Sequence, residues 1–336
     1  MNAAARGAED GIKKHTMLST MVAGGLLLAG AMTEGSQQAG DHQAHQVAGH
    51  ASVDPVQYSP ELFAQLEAAR AATERFRDHD AALAEGYELV GGDGPLMGEH
   101  WVRRDMTDRP FDMYKPSTLQ YLKIEDEYVL TGVAYTVYRG TDEPLPDGFA
   151  GDADVWHLHD MMKISMTATE DRPLLRWITE RRIAHGRTRW DQERPELTMV
   201  HAWTWLNNPD GVFAQEHRLI PYVRLGLPEA WGTGASADAA YGVALLGDEA
   251  CGLEVRKTNF IAGTGWRQRR ALTIACSDAE AAVYDALSDV DPSDETEAAG
   301  EALNAVAQEA WQGYVERRAE ILTAEQLARL AVDLTP

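Results

Sequence analysis

The apolar positions of this chain change period as it runs. Leu62, Phe63, Leu66, Ala69, Ala72 and Phe76 recur every three or four residues, the spacing of one helical face. Ser59-Pro60 sets a cap residue before a proline at the first helical position. The pattern predicts a helix from Pro60 to about Leu83, ending before Gly86. Gly91-Gly92-Asp93-Gly94-Pro95 has loop composition, and Met97-Gly98-Glu99-His100-Trp101 then leads into Val102. From there β-forming residues take over. Leu119–Ile124 and Tyr128–Tyr138 are rich in β-formers and flank Glu125-Asp126-Glu127, which predicts two strands and a turn. Residues 140–151 form a proline- and glycine-rich loop, and Asp154-Val155-Trp156-His157-Leu158-His159-Asp160 reads as a further strand. Pro173–His185 reads as a helix ending near Gly186, and Leu197–Leu206 as another strand, closed by the turn Asn207–Gly211.

After Gly232 helical signals take over. Ala235–Leu246 is a small-residue helix. Ser277-Asp278-Ala279-Glu280 is a capping box that predicts a helix start, running to about Leu287. A long helix is expected from about Ser293 to Leu322, and Thr323-Ala324-Glu325-Gln326 is a second capping box, with Leu322 and Leu327 as its hydrophobic staple. The expected fold class is α+β: an antiparallel sheet domain with an N-terminal helix over residues 55–232, then a helical region over 233–336.

The strand period decides which histidines can act together. Alternate residues of a strand share a face, so His157 and His159 point one way while Trp156, Leu158 and Asp160 point the other. His201 lies on a second strand. Three neutral imidazoles from two strands can hold copper or zinc with one coordination position open. His100 is the next candidate and His217 a further one, whereas His79 and His185 sit among charged helical residues and are expected at the surface. Asp160, Glu99 and Glu216 are candidate acceptors for the second imidazole nitrogens. Met97, Met161, Met162 and Met166 offer thioethers that would favour copper, or else fill the core. The same strands also suit two other arrangements: buried, hydrogen-bonded histidines, or histidines facing solvent with the tryptophans inward.

Composition narrows the setting. Asp and Glu number 53 against 30 Lys and Arg, a net charge of −23, so no excess of positive charge is available to displace counterions from nucleic acid or anionic membranes. Lys13, Lys14 and His15, the uncharged apolar run Met17–Leu28 and the small residues Ala29-Gly30-Ala31 have the order of a secretion signal, placing it at residues 1–31. The run is short for a transmembrane helix, and no later run is long enough to span a bilayer after cleavage. Residues 32–54, with His42, His45 and His50, read as a disordered leader. The expected address is periplasmic or extracellular. There the only two cysteines, Cys251 and Cys276, can pair; free buried thiols and soft metal ligands are the alternatives.

No phosphate-binding glycine loop, GxSxG elbow or HExxH motif occurs. The blocks Ala72–Asp78, Ala84–Tyr87, Met97–Trp101, Trp156–His159, and His201-Ala202-Trp203 leading to Asn208-Pro209-Asp210-Gly211-Val212-Phe213-Ala214 follow one order. That order resembles a group of uncharacterised exported bacterial proteins with a Met-Gly-x-His-aromatic block and a His-x-Trp…Asn-Pro-x-Gly block. The resemblance covers roughly residues 60–220 and implies export and a shared domain, but no reaction. Leu322-Thr323-Ala324-Glu325-Gln326 is similar to the LTxxQ motif of periplasmic helical stress and metal-response proteins. The leading expectation is an exported protein that binds copper or zinc through His157, His159, His201 and His100. The alternatives are a metal-free ligand-binding or chaperone-like protein with a tryptophan-lined pocket, and a metal-dependent hydrolase or oxidoreductase acting on a small molecule.

Overall fold

The N-terminal helix begins at its predicted cap and ends early. The computed structural model describes residues 58–107, 109–140, 142–158, 172–186 and 196–333. The expected signal and leader, and also His159, Asp160, Met161, Met162 and Met166, lie outside the described residues. Helix α1 (Pro60–Thr73) starts where Ser59 Oγ accepts the Leu62 N–H at 3.2 Å. The Thr73 hydroxyl donates back to the Ala69 carbonyl at 2.9 Å, and a 3-10 turn over Glu74–Arg77 follows, with Phe76 buried. Asp78 then caps α2 (His79–Ala84) by accepting the Asp80 N–H at 3.0 Å. The continuous apolar period across 60–83 hides this break, because Phe76 is buried from the turn as it would be from a helix.

The sheet is antiparallel throughout its six described strands: β1 (Glu88–Gly94), β2 (Gly98–Val102), β3 (Thr118–Ile124), β4 (Glu127–Arg139), β5 (His157–Leu158) and β6 (Glu196–Ala202). Their spatial order is β1-β2-β3-β4-β6-β5, so β6 enters between β4 and β5. With helices at its start and a helical C-terminal region, the fold is α+β as expected. The stretch read as a glycine loop is instead β1, paired irregularly with β2 between Val90 and Gly94. It sits at the sheet edge, where an irregular ladder tolerates glycine. β6 stops at Ala202, short of Leu206. The N–H groups of Trp205 and Leu206 instead donate to the Thr131 carbonyl, beside the register shift in β3–β4.

One face of the sheet packs on α1. Trp101, Leu119, Tyr121, Val133, Tyr135, Val200 and Ala202 form a core with Leu62, Leu66, Ala69 and Phe76. On the other side Leu122, Trp203 and Leu206 pack against Ile220 of α4 (Ile220–Arg224), which joins the sheet to the helices.

The helices begin at Ile220, before the change in composition at Gly232. They continue as α5 (Glu229–Thr233), α6 (Ala237–Ala244), α7 (Ala250–Ala262), α8 (Trp266–Ser288), α9 (Glu297–Ile321) and α10 (Ala324–Asp333), while α3 (Pro173–Gly186) precedes β6. Helix α8 runs straight through the box at Ser277. Leu272, Cys276, Ala279 and Val283 keep one buried stripe across it, and the Gly265 N–H donates to Gln268 Oε1 at the true start. The second box forms as expected: Gln326 N–H donates to Thr323 Oγ1 at 3.2 Å, and Thr323 N–H to Gln326 Oε1 at 3.0 Å. Cys251 and Cys276 form a disulfide between α7 and α8, with Cα atoms 5.6 Å apart. Closing that loop stabilises by about 3 kcal/mol in the chain-entropy model. Among the described residues no helix is long and apolar enough to cross a membrane.

Gly98 opens β2 at φ +69°, and a Cβ there would lie 2.5 Å from the Tyr121 carbonyl oxygen. Gly98→Ala is therefore expected to destabilise by at least about 2 kcal/mol in urea unfolding. Gly86→Ala has a similar positive φ but open space around it, and is expected to lose only about 1 kcal/mol. Equal losses for the two variants would show that the contact with β3 is not what demands glycine at 98.

Candidate metal centre

The sheet face opposite α1 is polar and buried, and its register arranges it in three rungs. The first runs His100, Gln120, Gly132; the second Thr118, Ala134, His201; the third Thr136, Met199, His157. His100 and His201 stand on strands separated by β3 and β4, three strand spacings or about 14 Å apart. Their ring centroids are nevertheless only 5.5 Å apart. The two side chains therefore lean toward each other over β3 and β4, where the register shift at Gln120/Tyr121 marks a bulge, a feature that bends strands. The ring of His157 lies 5.1 Å from His201, edge to face. His201 is thus the hub, with His100 on one side and His157 on the other.

Small side chains on β4 make room beneath the rings. At Gly132 a Cβ would meet Gln120 Oε1 at 2.9 Å, the Ala202 carbonyl oxygen at 3.0 Å and the Trp203 ring at 3.2 Å. The missing side chain lets the Gln120 carboxamide lie over β4.

His201 is oriented by backbone. Its Nδ1 donates to the Gln215 carbonyl oxygen at 3.0 Å, which in the neutral ring leaves the lone pair on Nε2. Nε2 in turn lies 3.0 Å from Met199 Sδ. His157 Nδ1 faces the Val155 carbonyl at 3.4 Å. Burial holds its pKa below the usual imidazole value, against the opposing effect of that hydrogen bond. An imidazole nitrogen about 2.0 Å from a metal places the ring centroid roughly 3 Å from it, so two rings sharing an ion have centroids about 5–6 Å apart. Both observed separations fall in that interval. Among the described residues no three His, Cys, Asp or Glu side chains stand in ready-made metal-ligating geometry. The rings are gathered without being closed around a point.

The other sequence candidates are placed elsewhere. His159 and Asp160 lie outside the described residues. Glu99 points to the α1 side, where its carboxylate accepts the Trp101 indole N–H at 2.9 Å, so it is no acceptor for these imidazoles. Glu216 accepts the Tyr241 hydroxyl instead. Carbonyls of Gln215 and Val155 take the expected carboxylate role. His217 is fully buried against Trp203. Its Nε2 faces the Leu206 carbonyl at 3.4 Å and its Nδ1 accepts the Leu219 N–H at 3.3 Å, a core histidine with both nitrogens used. His79 is not a free surface residue. At the first position of α2 it stacks on Tyr128 at 3.9 Å and meets Trp101 edge-on at 4.3 Å. Trp101, Trp203 and Trp205 are buried with their indole N–H groups bonded to Glu99, the Ala214 carbonyl and Thr73. The disulfide removes Cys251 and Cys276 as metal ligands.

Met199 and Gln120 escaped the sequence reading. Met199 stands two residues before His201 on a strand, the spacing already used for His157 and His159. Gln120 stands out through the structure: it is fully buried, and neither its amide nitrogen nor its oxygen has a hydrogen-bond partner among the described residues. Comparisons with protein-family models, curated proteins and solved structures return no match.

A buried amide with no partner costs about 1–3 kcal/mol. Gln120→Leu keeps the approximate volume and removes that cost. It is expected to raise the stability of the metal-free protein by about 1–3 kcal/mol in urea unfolding, and a loss of that size would show that the amide is satisfied.

His217 gives the protein an acid-sensitive element. Burial pushes its pKa from 6.5 down to about 3, so between those values the unfolded chain binds a proton that the folded chain refuses. The stabilisation is complete above about pH 6.5 and falls by about 1.4 kcal/mol per pH unit on acidification through that window. His217→Gln is expected to flatten the stability curve between pH 6.5 and 4 relative to wild type. An unchanged slope would contradict this assignment.

Proposed function

We propose that this is an exported protein that binds one transition-metal ion, copper or zinc, on the histidine face of its sheet. The observation that carries the reading is the convergence of His100 and His157 on His201, with centroid separations of 5.5 and 5.1 Å. Three imidazoles from three strands leave a coordination position open to water or another small ligand. The carbonyl behind His201 Nδ1 fixes the tautomer that turns Nε2 toward the site, the usual outer partner of a metal-binding histidine. His159, two residues beyond His157, stays in the proposed set as the alternative to His100 for the third position. Export is supported by the signal-like N-terminus and by the disulfide, which suits an oxidising compartment.

The test is metal stoichiometry in protein purified without a histidine tag, with His42, His45 and His50 replaced by alanine to remove binding by the leader. Wild type is expected to retain about one equivalent of copper or zinc after dialysis. His201→Ala is expected to retain less than a fifth of that, and His100→Ala and His157→Ala to bind at least about tenfold more weakly. Trace metal in wild type, or full retention in His201→Ala, would overturn the reading.

A further inference from the structure

We infer that Met199 is the sulfur ligand of this site and makes it select copper(I) over zinc. The inference rests on the histidine reading above and specifies the metal it serves. Met199 Sδ lies 3.0 Å from His201 Nε2. Methionine sulfur in an ordinary aromatic contact sits roughly 5 Å from the ring, often at its edge. Here it faces the ring nitrogen. With Nδ1 donating to the Gln215 carbonyl, Nε2 is the nitrogen turned to the sulfur, and in the neutral ring it offers a lone pair there. A nitrogen and a thioether sulfur, both able to donate an electron pair to a metal, are thus held side by side in a buried place.

The distances suit one ion. With metal–nitrogen and metal–sulfur bonds of about 2.0 and 2.3 Å, donors 3.0 Å apart subtend about 90° at the metal. The rotatable methionine side chain can widen that angle toward tetrahedral. His157 stands directly across from Met199 in the β5–β6 register, and its ring is the one 5.1 Å from His201. Sulfur and two imidazoles so form a triangle on two neighbouring strands. A thioether is a soft, uncharged ligand that favours copper(I), whereas zinc draws on thiolate, imidazole and carboxylate. The described part of the site contributes no carboxylate, since Glu99 and Glu216 are engaged elsewhere.

The test compares wild type with Met199→Leu, a volume-conserving change that removes only the sulfur. Copper(I) affinity is measured anaerobically by competition with a chromogenic chelator, zinc affinity by a parallel competition, and sulfur ligation by X-ray absorption on the copper(I)-loaded wild type. Met199→Leu is expected to lose at least tenfold in copper(I) affinity while zinc affinity stays within threefold, and wild type is expected to show a sulfur scatterer near 2.3 Å. Copper(I) affinity unchanged in the variant, or no sulfur shell in wild type, overturns the inference whether or not the variant folds well. Wild type that binds zinc as tightly as copper(I) overturns it too and leaves the histidine site standing, whereas wild type that binds neither metal overturns both.

Discussion

A sheet covered on both sides buries whatever its strands carry, and one face of this sheet carries polar groups. The contrast between the two faces is the organising constraint of the molecule. Toward α1 the phenols are matched: Tyr121 donates to the Phe76 carbonyl at 2.5 Å, Tyr135 to Met113 at 2.7 Å and Tyr87 to Pro116 at 2.7 Å. Burial holds all three phenols well above their ordinary pKa, so they remain donors. Toward the histidines, Thr118 Oγ1 and both ends of the Gln120 amide have no partner among the described residues. Leucine or valine at those positions would gain about 25 cal/mol for each Å² of apolar surface buried. Unmatched polar groups instead cost free energy that the remaining core must offset, in a molecule whose net stability is of order 5–15 kcal/mol. That cost is why the histidine face, and not the α1 face, is the one proposed to bind a ligand.

Much of the architecture could be read from local rules, because local rules govern caps and hairpins. Ser59 before Pro60, Thr323 with Gln326, and the β3–β4 hairpin around Glu125 are each set by neighbours within four residues. The failures are also physical. Ser277 to Glu280 satisfy a capping box, yet α8 began earlier, and the buried stripe from Leu272 to Val283 holds the helix through them. The glycines from 91 to 94 have loop chemistry, but pairing with β2 overrides it. For the site, alternation put His201 and Met199 on one face, but no local rule said that β6 would slot between β4 and β5. That order depends on pairings between residues forty or more apart in sequence. Without it, His100 and His157 have no reason to meet His201.

The segment Gln215-Glu216-His217 ties these distant parts together. The Gln215 carbonyl orients His201. The Glu216 carbonyl accepts from Asn208 at 2.7 Å, while its side chain takes the Tyr241 hydroxyl from α6. The His217 N–H donates to the Leu96 carbonyl at 2.8 Å, just before Gly98 opens the strand of His100. Three consecutive residues therefore link the hub histidine, the approach to a second histidine strand and the first long stretch of the helical region. A neutral His217, with both ring nitrogens engaged, keeps that segment in place. Partners of this kind, hydrogen-bonded to the second ring nitrogen, set the direction of an imidazole lone pair. The helical region thereby bears on the position of His201 through the backbone of this segment, which gives the C-terminal third of the chain a part in the geometry of the histidine face.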